Sequence, residues 1–233
     1  MPCLLHIETS TTVCSVALSL NGTVIFEKSS FDGPSHAALL GVYVEEAIEK
    51  VKSQHLNLEA VAISSGPGSY TGLRIGVSLA KGLCYGYNIP LIAIPTLSIL
   101  ASTAIRQVED SSALYCAMLD ARRMEVYAAI YRADLQQERE TSADIVTADI
   151  YSSYLRENKV YFFGNGAAKC KDVIVSPNAY FLDDIIPLAI HMIPLAERAF
   201  ETKKFEDVAY FEPFYLKEFQ ATVAKNKVLP TSN

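Results

Sequence analysis

The sequence predicts an α/β protein of two lobes, and three observations carry that reading. Short apolar runs of strand length, at residues 60–63, 91–94 and 160–163, alternate with longer segments of helical period. A pattern of strand, polar turn, strand and strand opens the chain and returns after a polar break at Glu109-Asp110-Ser111-Ser112. Between the two lies a strand, glycine turn and helix, Ile63-Ser64-Ser65-Gly66-Pro67-Gly68-Ser69-Tyr70-Thr71-Gly72-Leu73-Arg74-Ile75-Gly76. The resulting division is an N-terminal lobe at 1–108 and a C-terminal lobe at 109–233, with a C-terminal tail free to pack back on the first lobe.

Residues 3–7 form the first strand, and Glu8-Thr9-Ser10-Thr11-Thr12 makes a turn lined with hydroxyls. Residues 13–20 form the second strand, with Val16, Leu18 and Leu20 on one face. Asn21-Gly22 is the signature of a type I′ hairpin leading into a third strand at 23–31. Phe31-Asp32-Gly33-Pro34 breaks the sheet, and Ser35 is placed to cap a helix reaching about Lys52. Glu45, Glu46, Glu49, Lys50 and Lys52 all lie in the second half of that helix; residues 37–44 carry no charge on any face. A surface helix buries one stripe, so an all-round apolar half is read as an interaction surface.

In the central stretch, glycines permit positive φ and Ser69 or Thr71 caps the next helix. Such a turn offers backbone N–H groups to an anion, although the stretch is neither a Walker loop nor G-x-G-x-x-G. From Tyr70 to Tyr87 the only charges are Arg74 and Lys81, seven residues apart. Gly72, Gly76 and Ala80 recur every four residues and make a flat groove, for the chain's own sheet or first helix or for a partner's helix. Next come a buried strand at 91–94 and a helix capped by Thr96 and ending near Val108. The second half has strands at 113–119, 124–131 and 135–141, a helix at 150–157, a strand at 160–163 and the turn Gly164-Asn165-Gly166. Residues 185–204 are helical in period, kinked or restarted at Pro194. The tail has one apolar segment, 211–219, and a polar end with Lys225 and Lys227.

Composition narrows the chemistry. The chain has 233 residues, half of them hydrophobic, and a net charge of −6, which argues against gripping nucleic acid unaided. Five cysteines without a C-x-x-C read as reduced core thiols of a cytoplasmic protein, and no apolar run spans a bilayer. His6, His36, His55 and His191 stand apart without metal-ligand spacing, which argues against a zinc hydrolase or peptidase. Ser69 is not in a G-x-S-x-G elbow. Glu8 and Asp120 remain: each ends a strand and begins a turn at corresponding places in the two halves, where a two-lobed nucleotide-binding fold faces its cleft.

The turn Ile7-Glu8-Thr9-Ser10-Thr11, the stretch from Ser64 to Gly76, Asp120-Ala121-Arg122 before Glu125-Val126-Tyr127, and Gly164-Asn165-Gly166 resemble, in order and spacing, the TsaB family, also called YeaZ. The resemblance implies the actin-like, sugar-kinase-type fold, two lobes each with a mixed sheet flanked by helices. It implies a non-catalytic subunit of the machinery that builds threonylcarbamoyladenosine beside the anticodon of tRNAs reading codons that begin with A. The implied partners are a catalytic TsaD-type paralogue, a TsaE-type ATPase, a second copy when the chain is alone, and tRNA only through the complex; no membrane is implied. ATP and a metal ion are expected on partner subunits and no cofactor on this chain, with Glu8, Thr9, Ser10, Thr11 and Asp120 as a degenerate phosphate site. The paralogue's H-x-x-x-H motif falls at Thr96 and Leu100, neither able to replace an imidazole. Family members usually carry Asp at Glu8. The two charge-poor helices match the elements through which the family pairs, so His36, Leu39, Leu40, Tyr43, Gly72, Leu73, Gly76 and Ala80 are expected at the interface, and Gly76→Leu is expected to abolish pairing in a folded monomer. The rival reading is a small-molecule kinase of the same fold class, with Asp120 its sole candidate catalytic aspartate.

Overall fold

Two five-stranded sheets carry the same strand order. In the computed structural model, which describes residues 2–33 and 35–216, β1 (Cys3–Glu8), β2 (Cys14–Leu20) and β3 (Thr23–Ser30) form an antiparallel meander. On the other side of β1, β4 (Ala60–Ser64) and β5 (Leu91–Ile94) add in parallel, giving β3-β2-β1-β4-β5. The second sheet repeats this strand for strand. The meander of β6 (Leu114–Asp120), β7 (Glu125–Tyr131) and β8 (Gln137–Ile145) is extended in parallel by β9 (Val160–Phe163) and β10 (Ala179–Phe181), in the order β10-β9-β6-β7-β8. Glu8 and Asp120 therefore end equivalent central strands, and the glycine turns after β4 and β9 are equivalent too.

Alternation along the strands sorts the helices. One face of the first sheet, with Leu5, Ile7, Val16, Leu18, Val61 and Ile63, packs on α1 (His36–Ser53) and α2 (Tyr70–Tyr87). Its other face, Leu4, Ala60, Ala62, Ile92 and Ile94, takes Ile99 of α3 (Thr96–Val108) and Ala196 and Ala199 of α5 (Ile193–Glu201). The second sheet packs Cys116, Met118 and Phe162 on Leu155 of α4 (Ser152–Glu157), and Tyr115, Ala117, Leu119 and Phe163 on Leu97, Leu100, Ala101 and Ala104 of α3. A cut at 108/109 separates the two sheets but not their cores, because α3 lies against the second sheet and α5 returns to the first.

Several elements differ from the sequence reading. Ser35 precedes α1 but makes no side-chain cap, and its Oγ is buried without a partner among the described residues. Of the helical period at 185–204 only Ile193–Glu201 is α-helix, preceded by a 3₁₀ turn at Ala189–Met192; Pro194, in the first turn where its missing N–H costs nothing, starts the helix. β8 begins two residues later than its apolar signal, because Leu135 is left-handed (φ 65°) and closes the β7–β8 turn. β10 has no counterpart in the sequence reading: its three residues are partly exposed and show no alternation.

The chain then runs back over the first lobe. Glu206 N–H donates to Leu91 O (2.9 Å), and Val208 and Phe211 pack on the first core. Lys81 Nζ donates to the carbonyls of Ala209 (3.1 Å) and Phe211 (3.0 Å), and Phe214 N–H to Ser65 O (2.7 Å). The Tyr215 ring lies 4.9 Å from that of Tyr70, whose hydroxyl accepts from Arg74 (2.9 Å). Both charges of α2 thus serve intramolecular contacts, Lys81 by holding this segment. The remainder of the apolar tail segment, with Lys225 and Lys227, lies outside the described residues.

Candidate functional site: two carboxylate turns and a glycine stretch

The first carboxylate turn is closed. Glu8 and Thr9 are inaccessible to solvent and Ser10 is 1% exposed. Ser10 N–H donates to Glu8 Oε1 (2.5 Å), while Glu8 Oε2, Thr9 Oγ1 and Ser10 Oγ are buried without a partner among the described residues. Burial without a counter-charge pushes the Glu8 carboxyl up to about 7, against the pull of the hydrogen bond from Ser10 N–H.

The glycine stretch closes it. Ser69 N–H donates to Ser10 O (2.6 Å), and Ser69 Oγ accepts from Gly72 N–H (3.2 Å) as the α2 N-cap. The N–H groups of Ser69 and Gly72 at this helix start are therefore engaged by the chain itself. A Cβ at Gly72 would run into Thr9 O, and one at Gly76 into Thr9 Oγ1 and, at 3.0 Å, Ile63 Cδ1. Gly72 and Gly76 form the floor on which the first turn sits, and Ala80 continues the stripe into the first core. Gly66, left-handed at φ 104°, faces Phe214 O, which a Cβ would meet at 2.7 Å. Of the degenerate phosphate site expected at Glu8, Thr9, Ser10, Thr11 and Asp120, the first three residues are buried, Thr11 is half-buried and Asp120 is exposed.

The second turn is open. Asp120, with its side chain 48% exposed, is ion-paired with Lys169 Nζ. Its Oδ1 also accepts from Arg122 N–H (3.1 Å), and its own N–H donates to Asn165 Oδ1 (2.9 Å). Lys169 Nζ further donates to the carbonyls of Arg123 and Glu125 (2.6 Å each). Asp120 thus brackets a turn with its own cation. Sequence reasoning misses Lys169, because a lysine beyond a glycine turn carries no signal; Asn165 is visible only as part of Gly164-Asn165-Gly166.

The other expected residues divide. His36 is buried, not surface-facing; its Nε2 lies 2.8 Å from Thr11 O. Leu40, Gly72, Leu73, Gly76 and Ala80 are also buried within the chain itself. Leu39 and Tyr43 are half-buried on the first core. The exposed residues of the two helices include others: Ala37, Ala38, Gly41 and Val42 on α1, and Thr71, Arg74, Ser78, Gly82, Tyr85, Gly86 and Tyr87 on α2. Thr96 and Leu100 are fully buried, Leu100 among the side chains of the second sheet. His6 is a core histidine whose Nε2 lies 2.8 Å from Ser19 Oγ; burial lowers it to about 3. All five cysteines are buried free thiols. Among the described residues no helix is long and apolar enough to cross a membrane.

Residues 32–225 match the family model described as TsaD, tRNA N6-adenosine threonylcarbamoyltransferase. The tRNA threonylcarbamoyladenosine biosynthesis protein TsaB of Escherichia coli K12 is 30% identical over 223 residues, spanning 92% of this chain and 94% of that protein. The chain belongs to the TsaB family. Two solved structures agree: YeaZ from Pseudomonas aeruginosa (TM-score 0.75) and a protein from the same organism described as similar to the peptidase YeaZ (TM-score 0.80). Each is 25% identical, and each match covers 93% of this chain and all of the solved one. The fold is the two-lobed, actin-like α/β fold expected for TsaB.

Proposed function

We propose that this chain is the non-catalytic pairing subunit of tRNA threonylcarbamoyladenosine synthesis, joined to a TsaD-type catalytic paralogue and acting on the adenosine 3′ of the anticodon in tRNAs reading ANN codons. The observation that carries the reading is the state of the first carboxylate turn. Its carboxyl meets no cation among the described residues, its hydroxyls are buried, and the glycine stretch packs directly on its backbone. Buried Thr96 and Leu100, at the positions where the resemblance places the paralogue's histidines, support the same reading. The kinase alternative rests on Asp120, which Lys169 holds in a structural pair.

The pairing surface we assign is the outward face of α1 and α2, with Ala37, Ala38, Gly41 and Val42 in the first turns of α1 and, at the far end of α2, Tyr85, which is 87% exposed. Small residues there let another helix approach closely, and the exposed tyrosine supplies an aromatic anchor. ATP and metal belong to partner subunits in this scheme, a TsaE-type ATPase joins the pair, two copies of this chain pair when the paralogue is absent, and the assembly works in the cytoplasm. Size-exclusion chromatography with light scattering, on the chain alone and mixed with the TsaD-type paralogue of the same organism, tests it. A one-to-one complex that displaces any homodimer is expected. A chain that stays monomeric in the mixture overturns the proposal.

A further inference from the structure

We propose that the β6–β7 turn presents Arg122 and Arg123 to the phosphodiester backbone of RNA, an inference that rests on the tRNA reading above. Both arginines are exposed and both are left-handed, at φ 71° and 49°. Glycine or asparagine adopts that backbone far more readily than arginine. The turn has no freedom to relax. Ala121 N–H donates to Glu125 O and Glu125 N–H to Arg122 O (3.1 Å each), Arg122 N–H is held by Asp120, and Lys169 ties the carbonyls of Arg123 and Glu125 together from beneath. Strain held this firmly at an exposed site points to a use for the side chains.

Neither guanidinium forms an ion pair or hydrogen bond with another side chain among the described residues, while the neighbouring Asp120 charge is met by Lys169. The tip thus carries two arginines that the described side chains leave unpaired, on a chain of net charge −6. Guanidinium forks match phosphate oxygens in pairs, which ammonium groups do not. Two such contacts are too few to hold RNA against an acidic body, so the turn adds to a grip made mainly by the partner.

The test replaces both residues with ones that favour the observed backbone, Arg122→Asn with Arg123→Gly. Relief of strain is expected to leave the melting temperature unchanged or raise it by roughly 2–4 °C. In the complex with the TsaD-type paralogue, tRNA affinity is expected to fall about tenfold and the slope of log K against log salt to lose about 2. Arg122→Lys with Arg123→Lys is expected to keep most of that slope. A double variant that pairs normally and binds tRNA with parental affinity and slope overturns the inference; one that no longer pairs puts the turn in a protein contact and overturns it equally. If the parent chain does not pair at all, the functional reading falls, and titrating tRNA at low salt against the unpaired parent and variant decides the arginines separately.

Discussion

The two carboxylate turns occupy the same place in a repeated topology and have opposite characters. Glu8 ends β1 and is sealed beneath the glycines of α2; Asp120 ends β6 and stands open beside Lys169. The lobes differ in the element that comes after each of the equivalent glycine turns. After β4 it is an 18-residue helix whose small-residue stripe presses on the turn, and after β9 only a 3₁₀ turn carrying a lysine. A carboxylate covered by a helix without a cation raises its own proton affinity, whereas one beside a lysine fixes a loop. Topology thus sets where the groups lie, and the next element decides what they do.

The sharpest way to break this comparison is to push the floor out from under the first turn. Gly76→Leu places a branched side chain where Thr9 Oγ1 and Ile63 already sit. Overpacking against the buried Thr9 and Ile63 side chains is expected to lower the unfolding free energy by about 3 kcal/mol. This revises the sequence-based expectation of a folded monomer that merely fails to pair. Urea denaturation checks it, and a Gly76→Leu chain with the parental midpoint would show that the first turn is not sealed by this floor.

Glu8→Gln sharpens the contrast through pH. In the folded chain the Glu8 carboxyl keeps its proton up to about 7, against an ordinary value of 4.5. The folded state therefore binds more protons than the unfolded state between those values, and stability falls as pH rises through the window. At 1.36 kcal/mol per pH unit, the parent is expected to lose about 3 kcal/mol relative to Glu8→Gln between pH 4.5 and pH 8. His6 pulls the other way, losing stability as pH falls from 6.5 towards 3, but it is common to both chains and cancels. Parallel stability curves for the two chains would mean that Glu8 is charged and satisfied after all.

Much of this arrangement was legible in the residues, because it rests on local signals. The strand runs, the Asn21-Gly22 hairpin, the Ser69 cap and the recurrence of strand, turn, strand and strand are all short-range patterns. The direction in which the Gly72–Gly76 stripe faces was not legible. A small-residue stripe signals a close neighbour without naming it, and the neighbour, Thr9, lies more than sixty residues earlier. The surroundings of His36 were hidden in the same way: its place at a helix start does not reveal that the turn it touches buries it. The pairings of Lys169 with Asp120 and of Lys81 with the returning chain span 49 and more than 120 residues, and no periodicity encodes them.

Lys169→Met tests the second turn. The substitution keeps the aliphatic stem and removes three charge-assisted contacts, to Asp120, Arg123 and Glu125. Because the site is partly solvated, water replaces some of them, and a loss of about 2 kcal/mol is expected. The β6–β7 turn should loosen first, visible as faster amide exchange at Arg122 and Glu125 while the β1 turn is unchanged. Equal loosening of both turns would show that the lobes do not act separately.

The smallest effect belongs to Ser69, where the first turn and α2 meet. Its N–H holds Ser10 O and its Oγ caps α2 through Gly72 N–H. Ser69→Ala keeps the first contact and removes the second, so about 1 kcal/mol is expected, the usual cost of a lost N-cap. Ser69→Gly should cost only a few tenths, since a glycine N-cap leaves the helix start open to water. The order matters more than the sizes. If alanine is tolerated as well as glycine, the cap is redundant, and the seal on the first turn depends on the backbone contact to Ser10 and the glycine floor alone.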